Sequence, residues 1–527
     1  MELDHNTCYR AIRTRDARFD GRFFTGVHST GIYCRPVCPA RIPKQNNVDF
    51  YACAAAAEDA GFRPCRRCRP ETAPGTPAWL GTSTTVTRAL RLIADGALDH
   101  GGEIDQLADR LGVTARHLRR LFDRHLGASP VAIAQVRRVH FAKTLLDGTS
   151  MSITKIAYSS GFASVRRFNA VFAKTFRRSP REVREKRATP AGAGPANGLE
   201  LRLCYREPFD YETLLAFLAA RAIPGVEAVC NGHYRRTVSI EAEQGVIDVS
   251  QNLAAKHLIL RLPPELSRHA MTIAERVRRL FDLLADSRVI EAQLSTDPLL
   301  RDIVKRFSGT RVPGAWDPFE ISVRAILGQQ VSVKGATTLS GRLAEAYGAR
   351  LEADPEAADR TPGSEVGSEA SDACVWLHPG PRQLVRSRGE RIGLTRARAA
   401  ALRALSRAVI DGQVCFDGAG DLDAAVTKLL EVQGIGPWTA QYIAMRGCAE
   451  PDAFPSGDLV LRRVAQQLSQ ELNSETRLLD HAQAWRPWRA YAAMFLWRAH
   501  VPKLNKRPEQ PQPTPKRIKS RQRRIRA

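Results

Sequence analysis

Four cysteines of this 527-residue chain stand at spacings that suit a metal ion. Three residues stand between Cys34 and Cys38, two between Cys65 and Cys68, and 26 between the two pairs. Two close pairs joined by a loop are how a tetrahedral Zn²⁺ is gathered, each pair clamping one edge while the loop supplies a small core. Pro36, Pro39 and Pro64 stiffen the clamps. Zinc also keeps a thiol deprotonated at neutral pH, and the thiolate is the nucleophilic form. Spacing alone favours a closed site that only holds the fold. Cys8 and Cys53 have no partner at ligand spacing and read as buried small hydrophobes.

A second constellation lies near the other end. In LLEVQGIGPWTAQYIAMRG (429–447) an apolar-periodic helix runs into Gly434-Ile435-Gly436, and Pro437 opens the next helix. Two glycines in such a hairpin let the backbone approach a DNA phosphate, held by N–H groups and the following helix N-terminus. Gly-x-Gly by itself is a weak signal. Some 20 residues on, DAFPSGDLVLRRV places Asp458 at the head of another helix, with Asp452 as a rival carboxylate.

Between the two lie the elements that would bring both to a nucleic acid. EIDQLADRLGVTARHLRRLFDRHLGASP reads as a helix (Ile104, Leu107, Ala108, Leu111), a Gly112 turn and a second amphipathic helix, with Thr114 as N-cap. MSITKIAYSSGFASVRRFNAVFAKTFRRSP repeats the pattern about 50 residues later around Gly161, and both copies end in Ser-Pro. The second helix of each, 114–124 and 164–176, would enter a groove, with Arg116, Arg119, Arg120, Arg166 and Arg167 on or near the groove faces.

Resemblances sharpen these readings. DGRFFTGVHSTGIYCRPVCPAR with FYACAAAAEDAGFRPCRRCRPE resembles the Ada-type methylphosphotriester acceptor domain, which implies that Cys34 is both zinc ligand and methyl acceptor, and that Cys38, Cys65 and Cys68 are ligands. One Zn²⁺ is implied, structural and nucleophile-activating. Methylating one thiolate removes a negative charge, which relieves repulsion from the DNA backbone. Arg35, Arg41, Arg63, Arg66, Arg67 and Arg69 are then candidate phosphate contacts. The paired helical hairpins resemble the AraC-type DNA-binding unit. LCYREPFDYETLLAFLAARAIPGVE (203–227), DPFEISVRAILGQQVSV (317–333) and WRPWRAYAAMFLWRAH (485–500), together with the Gly-rich hairpin, resemble the AlkA-type 3-methyladenine DNA glycosylases of the helix-hairpin-helix/Gly-Pro-Asp superfamily. That resemblance implies Asp458 as the catalytic carboxylate and Phe217, Trp438, Tyr442 and Trp497 as a cleft for the flipped base. Gly434, Gly436 and Gln330 are implied to meet DNA. Asp452 falls outside the family's Pro-x-x-Asp pattern. Trp438 stands where relatives of the endonuclease III kind carry a Schiff-base lysine, so a monofunctional glycosylase is expected. Gln330 replaces the apolar wedge of the AlkA-type family, and Leu459 an aromatic. The Pro-Cys-His-Arg motif of an O6-alkylguanine acceptor does not occur.

Composition bounds the whole. The formal net charge of +24 is uneven: residues 1–187 hold 32 basic and 17 acidic side chains, and the tail 502–527 holds 10 and 1. Such basic regions attract polyanions, nucleic acid foremost. No apolar run approaches membrane-spanning length and the N-terminus has no apolar h-region, so a soluble, cytoplasmic, nucleoid-associated protein is expected. An odd count of 11 cysteines argues against a disulfide framework. The expected architecture is multidomain α+β. A zinc-binding α/β module (1–75) precedes an all-α double helix-turn-helix (83–187) and a Pro/Gly-rich linker (188–198). A mixed α+β sheet domain (199–310) then joins an all-α helix-hairpin-helix glycosylase core (311–501), which carries an acidic insertion (351–372). A basic tail (502–527) follows. Expected partners are double-stranded DNA, alkylated and promoter, and RNA polymerase, with the chain monomeric. A transcription regulator with purely structural zinc and an inactive glycosylase is the competing reading.

Overall fold

The computed structural model describes residues 4–70, 73, 84–185, 198–351, 374–416 and 422–500. Most of the expected linker (188–197), the acidic insertion beyond Leu351 and the basic tail lie outside these residues. Among the described residues no helix is long and apolar enough to cross a membrane. The architecture is the multidomain α+β one that the sequence leads to.

The first module opens on α1 (His5–Thr14), which Asp4 caps by accepting the Thr7 N–H at 2.8 Å. Strands β1 (Phe24–Val27), β2 (Ile32–Cys34) and β3 (Val48–Tyr51) form a sheet backed by α2 (Ala54–Asp59). The two-residue strand β4 (Arg63–Pro64) completes the order β3-β1-β2-β4, pairing in parallel with β2 so that Tyr33 faces Pro64. That register sets Cys65 beside Cys34, and the Cys65 N–H donates to the Tyr33 carbonyl at 3.0 Å.

Seven helices follow: α3 (Thr84–Ala94), α4 (Ile104–Arg110), α5 (Ala115–Leu126), α6 (Pro130–Gly148), α7 (Ile153–Ser159), α8 (Val165–Phe176) and α9 (Pro180–Glu185). The turns α4–α5 and α7–α8 contain Gly112 at φ +67° and Gly161 at φ +79°, left-handed positions that a side chain would strain. Thr114 and Ser164 cap α5 and α8, each hydroxyl accepting the N–H three residues on at 3.2 Å. The 19-residue α6 runs between the two hairpins.

The third unit is an antiparallel sheet in the order β5-β9-β8-β7-β6, from β5 (Leu199–Cys204), β6 (Glu227–Cys230), β7 (His233–Ile240), β8 (Glu243–Asn252) and β9 (His257–Leu262). Helix α10 (Tyr211–Ala219) lies between β5 and β6 in sequence, and α11 (Ala270–Leu280) follows the sheet. The fourth unit is helical: α12 (Ser287–Leu294), α13 (Pro298–Arg306), α14 (Pro318–Leu327), α15 (Val333–Tyr347), α16 (Pro381–Leu384), α17 (Arg396–Ile410), α18 (Leu422–Leu430), α19 (Pro437–Arg446), α20 (Leu459–Leu468), α21 (Glu475–His481) and α22 (Arg489–His500).

These units do not hang separately. One continuous apolar core takes in Leu145, Phe168 and Phe172 of the helix-turn-helix pair and Leu201, Val249 and Leu260 of the sheet. Cys53 and Ala56 of the first module share another core with Leu92, Leu118 and Phe122. Arg91 of α3 reaches the loop after α19, donating to the carbonyls of Cys448 (2.9 Å) and Ala449 (2.7 Å) and to Glu450 (3.0 Å). Between sheet and helical core, Arg236 of β7, only 2% exposed, makes a two-pronged pair with Glu320 of α14 at 2.8 and 3.3 Å.

A buried pair of this kind adds little net stability, but stranding one partner is costly. Arg236→Ala, which leaves Glu320 buried without its cation, is expected to lower unfolding stability by about 3–5 kcal/mol in denaturant titrations. The double variant Arg236→Met/Glu320→Gln is expected to recover most of that loss. An undiminished loss in the double variant would contradict the burial argument.

Candidate functional site

The four cysteines converge. Cys34 ends β2, and Cys38 follows through a turn in which its N–H donates to the Arg35 carbonyl at 3.1 Å. Cys65 leaves β4, and Cys68 lies on the turn closed by Arg69 N–H on the Cys65 carbonyl at 3.0 Å. All four Sγ atoms lie within 4.8 Å of one another, and Cys38 and Cys65 are 3.9 Å apart. Zn–S bonds of about 2.3 Å in a tetrahedron require sulfurs about 3.8 Å apart, so the donor set fits zinc in chemistry and size. Cys65 and Cys68 are buried, whereas Cys34 keeps part of its surface in solvent. Cys8 and Cys53 are buried away from the cluster, and burial pushes each thiol up to about 11.

The arginines around the cluster differ in what they touch. Arg35 is engaged inside the module: its guanidinium pairs with Asp20 and donates to the Cys68 carbonyl at 3.2 Å, and its backbone N–H points at the Cys68 sulfur at 3.3 Å. Arg69 pairs with Asp147 of α6, and Arg66 lies 3.5 Å from the Phe176 carbonyl of α8. Arg41 and Arg67 are exposed and Arg63 is half-buried. On α5 and α8, Leu118, Phe122, Phe168 and Phe172 face inward, while Arg116, Arg119, Arg120, Arg166 and Arg167 are exposed.

In the helical core, Asp458 is the N-cap of α20. Its Oδ1 accepts the backbone N–H groups of Val460 (2.9 Å) and Leu461 (3.0 Å) and the indole N–H of Trp497 (3.0 Å). Its Oδ2 accepts the Trp438 indole N–H at 3.1 Å. Trp438 stacks on Tyr442 with centroids 5.2 Å apart and rings tilted by 15°. Phe217 of α10 packs on the same core as Trp497, and Arg446 links it to Tyr442. Asp458 and the four expected rings therefore form one group, each ring half-buried. The rival Asp452 is bound to Arg486 (2.9 Å) and twice to Arg489 (2.8 and 3.0 Å).

The hairpin lies beside this group. Gly434 sits at φ +89°, and a Cβ there would come within 2.5 Å of Ala401. Gly436 caps α19 with open space around it. Gln330 is exposed at φ +56° on the turn between α14 and α15. That turn is braced by its neighbour: the Gln329 amide donates to the Gly434 carbonyl (2.9 Å) and Thr439 hydroxyl (3.2 Å), and Arg398 donates to the Gln329 carbonyl. Leu459, beside Asp458, is 66% exposed.

Four family models match in chain order. They are the metal binding domain of Ada (7–71), a helix-turn-helix domain (107–186), the AlkA N-terminal domain (200–317) and the HhH-GPD superfamily base excision DNA repair protein (323–490). The probable bifunctional transcriptional activator/DNA repair enzyme AlkA of Mycobacterium tuberculosis is 39% identical over 513 residues, 97% of this chain and 99% of its own length. The DNA-3-methyladenine glycosylase 2 of Escherichia coli is 31% identical over 298 residues, 56% of this chain and 95% of that one. The Escherichia coli bifunctional activator/repair enzyme Ada is 36% identical over 154 residues, 29% of this chain and 42% of that one. The chain belongs to the Ada/AlkA-type bifunctional activator and repair family. It is thus a zinc-binding, DNA-binding member of the helix-hairpin-helix DNA glycosylase superfamily.

Within this Ada/AlkA-type frame, several residues at the sites had no motif to mark them. Arg446 is 4% exposed and donates to the Pro313 (2.8 Å) and Gly314 (2.9 Å) carbonyls and the Tyr442 hydroxyl (2.8 Å). Arg221 lies over Phe217 with its guanidinium carbon 3.6 Å from the ring centre. Both follow their ring by four residues on or just past a helix, a spacing at which such pairs meet and which could have found them. A further network ties the cysteine module to α6 and α8: the Tyr33 hydroxyl and His140 lie 2.9 and 3.2 Å from Glu58 Oε1, and Thr175 lies 3.4 Å from Oε2.

The two indole contacts give a direct spectroscopic check. In a protein with ¹⁵N-labelled tryptophan, Asp458→Asn is expected to shift the indole N–H resonances of Trp438 and Trp497 together. The indole of Trp485, bonded to Asp297, should stay in place. Movement of neither Trp438 nor Trp497 would mean the carboxylate is not held as described.

Proposed function

We propose that the chain repairs alkylated DNA by two separate chemistries. The helical core acts as a monofunctional DNA-3-methyladenine glycosylase of the type II class, with Asp458 as its catalytic carboxylate. Cys34 accepts a methyl group from DNA methylphosphotriesters, and the paired helix-turn-helix unit serves as the DNA-binding part of an activator. The observation that carries the first claim is the carboxylate of Asp458, oriented by four N–H donors within the aromatic group.

Cleavage of an N-glycosidic bond builds positive charge on the sugar, and a fixed anion near C1′ stabilises it. Because the four donors come from the protein, the carboxylate needs no reorganisation when that charge appears. An alkylated purine leaves as a neutral base, which removes the need for a strong general acid. Trp438, Tyr442, Phe217 and Trp497 supply faces for a base turned out of the duplex. Trp438 offers no amine, so no Schiff base forms there and the backbone is left uncut. Gly434 and Gly436 bring the hairpin backbone to a phosphate, and Gln330 stands exposed on the braced turn beside it.

At the other site Cys34, Cys38, Cys65 and Cys68 would hold one zinc ion. Bound zinc keeps their thiols deprotonated at neutral pH. The Cys34 sulfur attacks the methyl carbon of the triester. A sulfur–carbon bond forms, the carbon–oxygen bond breaks, and the phosphodiester anion departs. Cys34 is half-buried, as is Cys38, whereas Cys65 and Cys68 are buried, so its sulfur is not sealed inside the module. Arg41, Arg63 and Arg67 around the module, and Arg116, Arg119, Arg120, Arg166 and Arg167 on α5 and α8, are the proposed DNA contacts.

Asp458→Asn is expected to slow release of methylated purines from DNA by about 10²–10³-fold, the scale of losing one preorganised electrostatic group. Wild-type protein that releases no more base than the variant would overturn the glycosylase reading. Exposure to methylated DNA is expected to add one methyl group to the peptide containing Cys34, read by mass spectrometry. An unmodified peptide would overturn the acceptor reading while leaving the glycosylase untouched.

A further inference from the structure

The loop that carries Asp458 begins at a strained corner. Helix α19 ends at Arg446, and the chain turns through Gly447, Cys448 and Ala449 before Glu450. The Gly447 and Cys448 N–H groups both donate to the Ile443 carbonyl, at 2.7 and 3.2 Å. The Glu450 N–H donates to the Ala444 carbonyl at 3.0 Å. Between them Ala449 sits at φ +50°, a left-handed conformation that a Cβ disfavours. Such a residue persists where its surroundings hold it in place.

The hold comes from another unit. Arg91 stands in the last turn of α3, whose neighbouring Leu92 and Ile93 are buried in the helix-turn-helix core. Its side chain, largely buried, crosses to the corner. One guanidinium nitrogen donates to the Cys448 carbonyl (2.9 Å) and to Glu450 (3.0 Å), the other to the Ala449 carbonyl (2.7 Å). A planar guanidinium serves three acceptors at once because its N–H groups are fixed in a fork. Downstream, the loop is strung between the two helices whose indoles reach Asp458. The Phe454 N–H donates to Gln441 of α19 at 3.0 Å, and the Ala490 N–H of α22 to the Pro451 carbonyl at 2.9 Å. A shift at the corner therefore moves Asp458 relative to Trp438 and Trp497.

We propose that Arg91 is a positioning residue for base excision: from the helix-turn-helix region it holds the Ala449 corner, and through the loop the carboxylate of Asp458. The DNA-binding half is then part of the excision machinery, not a separate unit attached to it. The inference rests on the glycosylase reading above and deepens it. The three contacts of Arg91 are to the loop, not to the aromatic rings or the hairpin. Its loss changes the rate of bond cleavage and leaves the affinity for DNA alone.

The test is single-turnover excision from a duplex carrying one 7-methylguanine, by the full zinc-loaded chain, followed against protein concentration. Arg91→Met/Glu450→Gln removes the fork and leaves no buried charge stranded. Its maximal rate per folded protein is expected to fall about tenfold or more, the scale on which a displaced catalytic group slows a reaction. The half-saturating concentration is expected to stay within about twofold of wild type. Adding Ala449→Gly, which takes a left-handed corner without strain, is expected to restore the rate to within about threefold of wild type. In ¹⁵N-tryptophan protein the Trp438 and Trp497 indole resonances should move in the double variant and return when the glycine is added. Asp95→Asn loosens a different contact of α3 with the glycosylase half, to Arg279 at 2.7 Å, and should leave rate and resonances unchanged. Arg91→Lys keeps the cation without the fork, is expected to lose about threefold, and carries the test if the double variant fails to fold. A maximal rate unchanged in every Arg91 variant that folds, a loss that the glycine does not recover, or an equal loss in Asp95→Asn would overturn the assignment alone. Wild-type protein that excises no base would overturn the glycosylase reading itself, and this inference with it.

Discussion

The C-terminal half of the molecule is organised around one carboxylate that accepts four N–H groups at once. Two come from the first turn of α20, which Asp458 caps, and two from indoles on α19 and α22. Three helices must therefore meet within hydrogen-bond reach of one side chain, and the surrounding packing is what permits it. Residues Arg489–Leu496 of α22 are buried on every side, so that helix has almost no freedom of position. Arg446 pins the end of α19 to the carbonyls of Pro313 and Gly314. Arg489 ties the start of α22 to Asp452 in the loop that leads to Asp458. The second aspartate is thus a structural anchor for the loop carrying the first.

The same loop is held from outside the helical core. Arg91 belongs to the helix that opens the helix-turn-helix region, yet its guanidinium lies on the carbonyls of Cys448 and Ala449 and on Glu450. Arg22 of the cysteine module pairs with Asp286, which also caps α12. Such contacts across module boundaries, together with the apolar cores that span them, make the four units one body with two candidate sites. The centres differ in electrostatic character. Four sulfurs, two of them half-buried, make up the first, whereas the second sets a carboxylate among aromatic rings with the guanidiniums of Arg221 and Arg446 against them.

Much of this was legible in the sequence, and the reasons are local. Cysteine pairs at two- and three-residue spacing declare themselves because the ligand geometry is short-range. Thr114, Gly112 and Gly161 could be read because caps and left-handed turns are decided by one or two residues. Asp458 was visible as a helix head, and the role proposed for it came with the family resemblance. What the sequence did not reveal is who meets whom at a distance. Trp497 lies 39 residues from Asp458, Glu320 84 residues from Arg236, and Cys448 357 residues from Arg91. Periodicity assigns a residue to a face, not to a partner. Arg35 is an example: its position beside Cys34 suggests a phosphate contact, and nothing local announces that its guanidinium also pairs with Asp20.

The central claim is that Asp458 presents a fixed negative charge to a sugar becoming positive. It is tested most directly by the affinity of the protein for duplexes with a cationic pyrrolidine abasic analogue, compared with the neutral tetrahydrofuran one. The wild-type chain should bind the cationic analogue tighter by about tenfold or more, as expected for a mimic of the transition-state charge. Asp458→Asn should bind the two alike. Equal affinities in the wild type, or a preference that survives in the variant, would contradict the account.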